Sequence, residues 1–313
     1  MPEDQNWALA WVSKRQVEWP DPVSVGSDGP LNPLVDFSYM DSTKIPITAP
    51  HGNDIIYDPS HITENTTLPR SEEFEVRKPH GCPENELLVW PFPGPLNDIR
   101  VLDPTASPKG TYAKRQPFVV PGADGASQTF HPIASLPACY PLVSHLTIEV
   151  DHLKEFESVC HRISEQHEFE LDDDGNEVSE YCIDEECQDH PWRYYQNPPK
   201  LCVDAKQRPF VTLGEVVVAV HDWLHTLHDD IILAESATFG DAWGQQWPPF
   251  IPRDTMFWID GCAASGYVTL TQQGPNGSGN GHDRDKYWEE RLGRMAQMRK
   301  RLMDEAGLTT TTD

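Results

Sequence analysis

Between Val211 and Ile232 the apolar positions recur at intervals of three and four residues. At about 100° per residue, Val216, Val217, Val220, Trp223, Leu224, Leu227 and Ile231 fall in one stripe roughly 120° wide, as in a helix with one buried face. Thr212 and Glu215 stand at capping-box spacing, and Val211 and Val216 at hydrophobic-staple positions, so the helix is predicted to open at Thr212 and run to about residue 231. Its stripe needs partners, and the flanking pattern offers strands. Leu146 to Val150 alternates apolar and polar residues, as a half-buried strand does. Leu201 to Val203 and Phe210 continue this pattern before the helix. After it, Thr255 to Ile259 and Gly266 to Thr271 are rich in aromatic and branched residues, and Gly261 to Ser265 between them predict an antiparallel hairpin. The expected fold class is therefore α+β, with a small antiparallel sheet packed on one central helix at about 212–231.

Outside this region the pattern is broken by many of the 29 prolines. Leu34 to Tyr39, Asp54 to Tyr57, Glu86 to Pro91, Ile99 to Leu102 and Phe118 to Pro121 are short strand candidates, each cut off by turn residues. Residues 1–114 thus read as a proline-rich irregular arm without a core of its own, and 115–275 as the α+β core domain. Within that core, Glu155 to Gln166 suits a short polar helix. An acidic insertion follows at 163–192, where Glu168 to Asp189 has no lysine or arginine, as expected of a solvated loop. Residues 276–313 read as a glycine linker and an amphipathic helix at about 283–306, with acids in its first turn and Arg299, Lys300 and Arg301 near its end, as the helix dipole prefers.

Charge changes the picture of partners. A formal net charge of -26 repels nucleic-acid phosphates and anionic lipid and favours basic partners or simple solubility. The expected partner is accordingly a protein, with neither nucleic acid nor membrane. The first residues lack a basic flank followed by an apolar run, and no stretch approaches the length of a membrane span. Seven cysteines without regular spacing read as reduced thiols. These features lead us to expect an intracellular, cytoplasmic protein.

His131-Pro132 and Leu136-Pro137 run into Leu146 to Val150, Phe210 to Val217 opens the helix, and Phe257 to Gly261 is followed by Gly266 to Leu270. In this order the pieces resemble a family of fungal domains of unknown function, abundant in mushroom-forming fungi. The resemblance covers about 130–271 and implies an α+β fold in an intracellular fungal setting. It brings no known activity and no catalytic residues. The acidic insertion and the proline-rich first hundred residues depart from the family pattern.

Several groups carry candidate chemistry. His221, His225 and His228 are spaced so that one helix would project them within roughly 60° of one another, offering imidazoles to a metal, with Asp229 as a further ligand. The alternative is that they are half-buried residues at the edge of the apolar stripe, and no His-Glu-x-x-His pattern is present. Glu170 to Tyr181 places oxygen ligands at alternate positions like a calcium loop, but Tyr181 stands where a bidentate carboxylate is needed. Cys182, Cys187 and His190, with Cys160 and His161, form an incomplete zinc pattern, and the surrounding carboxylates oppose thiolate formation. No cofactor is therefore expected, with zinc or calcium as the alternatives. On the last helix, Trp288, Leu292, Met295 and Leu302 line one side and are candidates for docking a partner. The alternatives are that the helix folds back, so that its basic residues meet the protein's own acidic surface, or that it is a frayed tail. No nucleophile elbow or phosphate loop is present. The expected function is a noncatalytic interaction or ligand-binding module. The alternatives are an enzyme of unrecognised class, a metal protein using the helix histidines, or a structural partner in a larger assembly.

Overall fold

A computed structural model of the chain describes residues 47–48, 54–74, 78–103, 115–121, 128–166, 195–239, 251–264, 266–272 and 281–305. In chain order the strands are β1 Ile47–Thr48, β2 Asp54–Ile55, β3 His80–Gly81, β4 Leu88–Val89, β5 Pro91–Phe92, β6 Arg100–Leu102, β7 Arg115–Pro117 and β8 Val119–Pro121. They continue with β9 Gln128–Phe130, β10 Cys139–Tyr140, β11 His145–Val150, β12 Leu201–Asp204, β13 Phe257–Ala264 and β14 Tyr267–Thr271. The α-helices are α1 Asp151–Gln166, α2 Leu213–Thr226, α3 His228–Phe239 and α4 Gly281–Glu305. The candidate strand Leu34 to Tyr39, the acidic block with Glu170 to Tyr181, the group Cys182, Cys187 and His190, and the glycine linker lie outside the described residues. Helices and strands together make this an α+β chain, and among the described residues no helix is long and apolar enough to cross a membrane.

The described residues divide into two compact units, one holding residues 152–166, 195–198, 229–239 and 251–253, the other holding the remainder. In the larger unit, a five-stranded sheet runs in the order β12-β11-β14-β13-β5. Its strands are antiparallel except for β11 and β14, which pair in parallel through Glu149 with Tyr267 and Val150 with Val268. This corrects the expectation of an antiparallel sheet. Parallel neighbours need a long crossover, and the chain between Val150 and Tyr267 supplies one. The hairpin of β13 and β14 is present, but Gly261 lies within β13, beside a register irregularity between Ile259 and Gly261, and not in the turn. The turn falls at Gly266, whose φ of +83° suits glycine and whose carbonyl accepts from the amide of Glu149 at 2.9 Å.

Helix α2 opens as its sequence predicts. The hydroxyl of Thr212 accepts from the amide of Glu215 at 3.3 Å, and the Glu215 carboxylate accepts from the amide of Thr212 at 2.8 Å. Glu215 also takes the amides of Lys206 and Gln207, so one side chain ties the incoming loop to the helix start. Val216, Val217, Val220, Trp223 and Leu224 are buried along the predicted stripe. The helix packs on a 3-10 turn at Pro132–Ser135 and on β12. At Gly214 the approach is so close that an added Cβ would lie 2.9 Å from the carbonyl oxygen of Ala134. One continuous helix to about 231 is not what forms. α2 ends at Thr226, whose hydroxyl donates to the carbonyl of Trp223 at 2.7 Å. Leu227 leaves the helical conformation at φ -102° and ψ 4°, and α3 starts at His228 with Asp229 and Asp230 in its first turn, where the dipole favours acids.

The boundary expected near residue 115 is also displaced. Trp90 and Phe92 are each 1% exposed, and Leu87, Leu88, Val89, Ile99, Val101 and Leu102 are buried as well. β5 forms an edge of the five-stranded sheet by pairing Phe92 with Phe257, while β4, β6 and β7 make a three-stranded antiparallel sheet. Residues 82–102 therefore belong to the core of the larger unit. Pro91 and Pro117 stand at the ends of very short strands, where a missing amide donor costs little.

The smaller unit is built from α1 beyond its first residue and α3 beyond its first residue, with residues 195–198 and 251–253. His152 pairs with Glu235 at 3.2 Å, Phe156 packs against Tyr195 with ring centroids 4.9 Å apart, and the hydroxyl of Ser236 accepts from the amide of Ile251 at 3.0 Å.

Candidate functional site

Among the described residues of the larger unit, a buried polar network begins at a 3-10 turn, Pro83–Leu87. Proline at its first position fixes the backbone angle without leaving a donor unsatisfied. All five residues of the turn are buried, including Glu84, Asn85 and Glu86 in succession. Buried carboxylates are tolerated only with cationic or hydrogen-bonding partners, and α4 supplies them. Arg299 donates to Glu84 through two guanidinium nitrogens at 3.2 and 2.6 Å. Arg294 donates to Glu86 at 3.1 Å and to Asp260 of β13 at 3.1 Å. Arg291, only 2% exposed, donates to the carbonyls of Glu86 at 2.7 Å and Asn85 at 3.2 Å, and to the hydroxyl of Tyr287 at 2.9 Å. Asn85 closes the far side by donating to the carbonyl of Cys262 at 2.7 Å.

Apolar contacts flank this network. Trp288, Met295 and Leu302 are buried, with Arg115 stacked 5.3 Å from the centre of the Trp288 indole. His80 of β3 meets Glu305 near the end of α4 at 3.3 Å. The side of the helix assigned to a partner is thus covered by the protein's own chain at Trp288, Met295 and Leu302, while Leu292 is half-buried. Folding back prevails because Arg291, Arg294 and Arg299 find three carboxylates, Glu84, Glu86 and Asp260, on one surface. Arg299 is the one residue of the basic triplet on that surface, whereas Arg301 turns outward and pairs with Glu305 at 3.0 Å.

The electrostatics follow from burial and charge. Burial first, then the charge of Glu84, pushes the Cys82 thiol well up, so it stays protonated and donates to Glu84 at 2.9 Å. Burial also raises the Tyr287 phenol. For Arg294, burial opposes the charged form, but Glu86 and Asp260 outweigh it and hold the guanidinium above its usual value. The site is a cradle of carboxylates for guanidinium groups.

The helix histidines stand beside the apolar stripe, half-buried at His221 and His228 and exposed at His225. Nε2 of His221 and Nε2 of His225 both donate to the carbonyl of Gly94, at 3.0 and 3.1 Å, and their rings meet edge to face at 4.6 Å. A nitrogen donating a hydrogen bond has no lone pair for a metal. His228 belongs to the next helix, past the break at Leu227, and packs on the Phe92 ring at 5.6 Å. Asp229 is paired with Arg253. Among the described residues no group of three or more His, Cys, Asp or Glu side chains is arranged to hold a metal. Cys160 is buried, and its thiol is pushed up to about 12 by burial, while His161 is exposed beside it.

A third cluster lies on the outward face of β11 and β12. Nδ1 of the buried His145 meets Asp204 at 2.7 Å, and Nε2 faces Glu72 at 3.4 Å and the Thr147 hydroxyl at 3.4 Å. The order Asp204, His145, Thr147 is that of a hydrolytic triad. The Thr147 hydroxyl, however, donates to Glu72 and not to the ring. The cluster therefore clamps the 3-10 turn Ser71–Glu73 to the sheet, with the amide of Thr147 also donating to Ser71 at 3.0 Å. Burial opposes ionisation of Glu72, but the Thr147 hydroxyl and the charges of His145 and Arg70 prevail and lower its pKa.

Neither the cradle nor the clamp is evident from local motifs. One signal is available: Arg291 borders the stripe of Trp288, Met295 and Leu302, and a charge beside a buried apolar stripe demands a partner. Set against protein-family models, curated proteins and solved structures, the chain matches none of them.

Proposed function

We propose that the protein is a noncatalytic intracellular interaction module whose acidic surface receives a basic polypeptide. The observation that supports this reading is the cradle. Three arginines of α4 face three carboxylates there, so their charges cancel, and the entire net charge of -26 is carried by the rest of the chain. Such a surface attracts basic segments and slows the approach of nucleic acid and anionic lipid. The fungal domains that residues 130–271 resemble supply the proposed cellular setting. The test is fluorescence anisotropy with a labelled oligolysine peptide and an oligoglutamate control. Saturable binding of oligolysine that weakens as salt shortens the screening length supports the reading, and equal signals from both peptides reject it.

A second reading, an enzyme centred on His145, draws on the Asp204 contact at 2.7 Å and the nearby Thr147 hydroxyl. It is the weaker reading, because Glu72 takes the hydroxyl proton that a base would need to remove. Ester hydrolysis above background that disappears in His145→Ala would favour it.

A further inference from the structure

The cradle that holds α4 has features of a receptor as well as of a fixed core. Its grip relies on guanidinium-carboxylate pairs, and two of the three arginines reach solvent, with side-chain exposures of 41% for Arg294 and 36% for Arg299. At these two positions the guanidinium side of each pair is open to water while the carboxylate is covered, in contrast to Arg291, which is covered at 2%. The helix also carries Gly293 in its middle, where an added Cβ would meet nothing within 4 Å. Packing therefore gives no reason for glycine there, and glycine weakens the helix relative to alanine. Beneath the helix, Glu84 and Glu86 lie on a turn held independently of it, through the amide of Cys82 donating to Ala138 at 2.9 Å and the Asn85 contact to Cys262.

We infer that α4 is an internal pseudo-ligand, and that the cradle of Glu84, Glu86 and Asp260 receives an arginine-bearing amphipathic helix of a partner protein when α4 lifts away. This rests on the acidic-module reading and names the class of partner. The partner helix must repeat the order Trp288, Arg291, Arg294, Met295, Arg299 and Leu302, because each of these side chains fills or pairs with a defined part of the surface. Arginine is required over lysine at the position of Arg291, since that residue reaches the cradle carbonyls of Glu86 and Asn85 from one planar group.

The experiment uses the full chain and a labelled synthetic peptide that carries those six residues at their native spacing in an alanine-glutamine host. A matched peptide has glutamine in place of the three arginines. α4 competes with the peptide in cis at high effective concentration, so wild-type protein should bind the arginine peptide weakly. Met295→Asp, which puts a charge into the buried face of α4, should tighten binding about tenfold or more. Gly293→Ala, which strengthens α4, should loosen it about fivefold. Equal binding of the two peptides overturns the inference, as does no binding to Met295→Asp protein in which α2 and β11 keep their amide protection. If Met295→Asp does not fold, an unchanged affinity in Gly293→Ala overturns it instead. A concentration-dependent dimer that excludes the peptide makes a second copy the occupant and also overturns it. Binding of oligolysine without the arginine helix defeats this inference alone, whereas failure of both peptides defeats the acidic-module reading with it.

Discussion

Arg291 shows how one buried charge is made tolerable. Its guanidinium satisfies the carbonyls of Asn85 and Glu86 and the Tyr287 hydroxyl, so removing it leaves several buried polar groups without a donor. Arg291→Ala is expected to cost about 3 kcal/mol or more in a urea titration, because orphaned buried groups carry their full desolvation penalty. Arg301→Ala on the same helix, which breaks only an exposed pair with Glu305, should cost no more than about 0.5 kcal/mol. Equal losses would show that the network is not buried in solution. The thiols give a second comparison at this scale. Cys139 and Cys262 are buried, with their pKa pushed up to about 12, and Cys82 lies beside a carboxylate, whereas Cys202 is exposed on β12. Alkylation followed by mass spectrometry should label Cys202 before Cys82, Cys139, Cys160 and Cys262.

Helix α2 is the element that local pattern describes best. Its capping box, staple and apolar stripe are all short-range features, and they agree with one another. Leu227→Ala should cost about 2–5 kcal/mol, since the side chain is fully buried, while Asp222→Ala on the exposed face should cost little. Gly214→Ala should also destabilise, because the Cβ would strike the backbone at Ala134. The break at Leu227 was not legible because Leu227 and Ile231 continue the helical spacing through it, and only the Thr226 hydroxyl bond and the acidic start of α3 mark it. His221 and His225 share one face of α2, but the break carries His228 into α3, and the Gly94 carbonyl that engages the first two is more than a hundred residues away in sequence. The parallel pairing of β11 with β14 is equally nonlocal. The alternation in Leu146 to Val150 gives the buried face of the strand but carries no information about its neighbours.

At the scale of the molecule, charge and titration set the conditions of stability. Glu72 has its pKa lowered from 4.5 in the folded chain, so its contribution is present above that value and is lost as pH falls through the folded pKa. The buried thiols behave oppositely. With Cys139 and Cys262 raised from 9.0 to about 12, the unfolded chain loses these protons first, and stability declines as pH rises from 9.0 toward 12. Urea midpoints measured across pH should therefore fall on the acid side of 4.5 and again above 9.0. The composition that makes the chain acidic was plain in the sequence. Which carboxylates are buried, and that α4 neutralises three of them, depends on contacts spanning some two hundred residues, which no local pattern encodes.

Amide hydrogen exchange of the intact protein, read peptide by peptide by mass spectrometry, tests the central claim of a cradled helix most directly. The account predicts protected amides in α4 that open at lower free energy than those of α2, and loss of α4 protection alone when Glu84→Gln and Glu86→Gln are combined. Exchange of α4 at the rate of an unstructured peptide in the wild-type protein, or undiminished protection in the double variant, would contradict it.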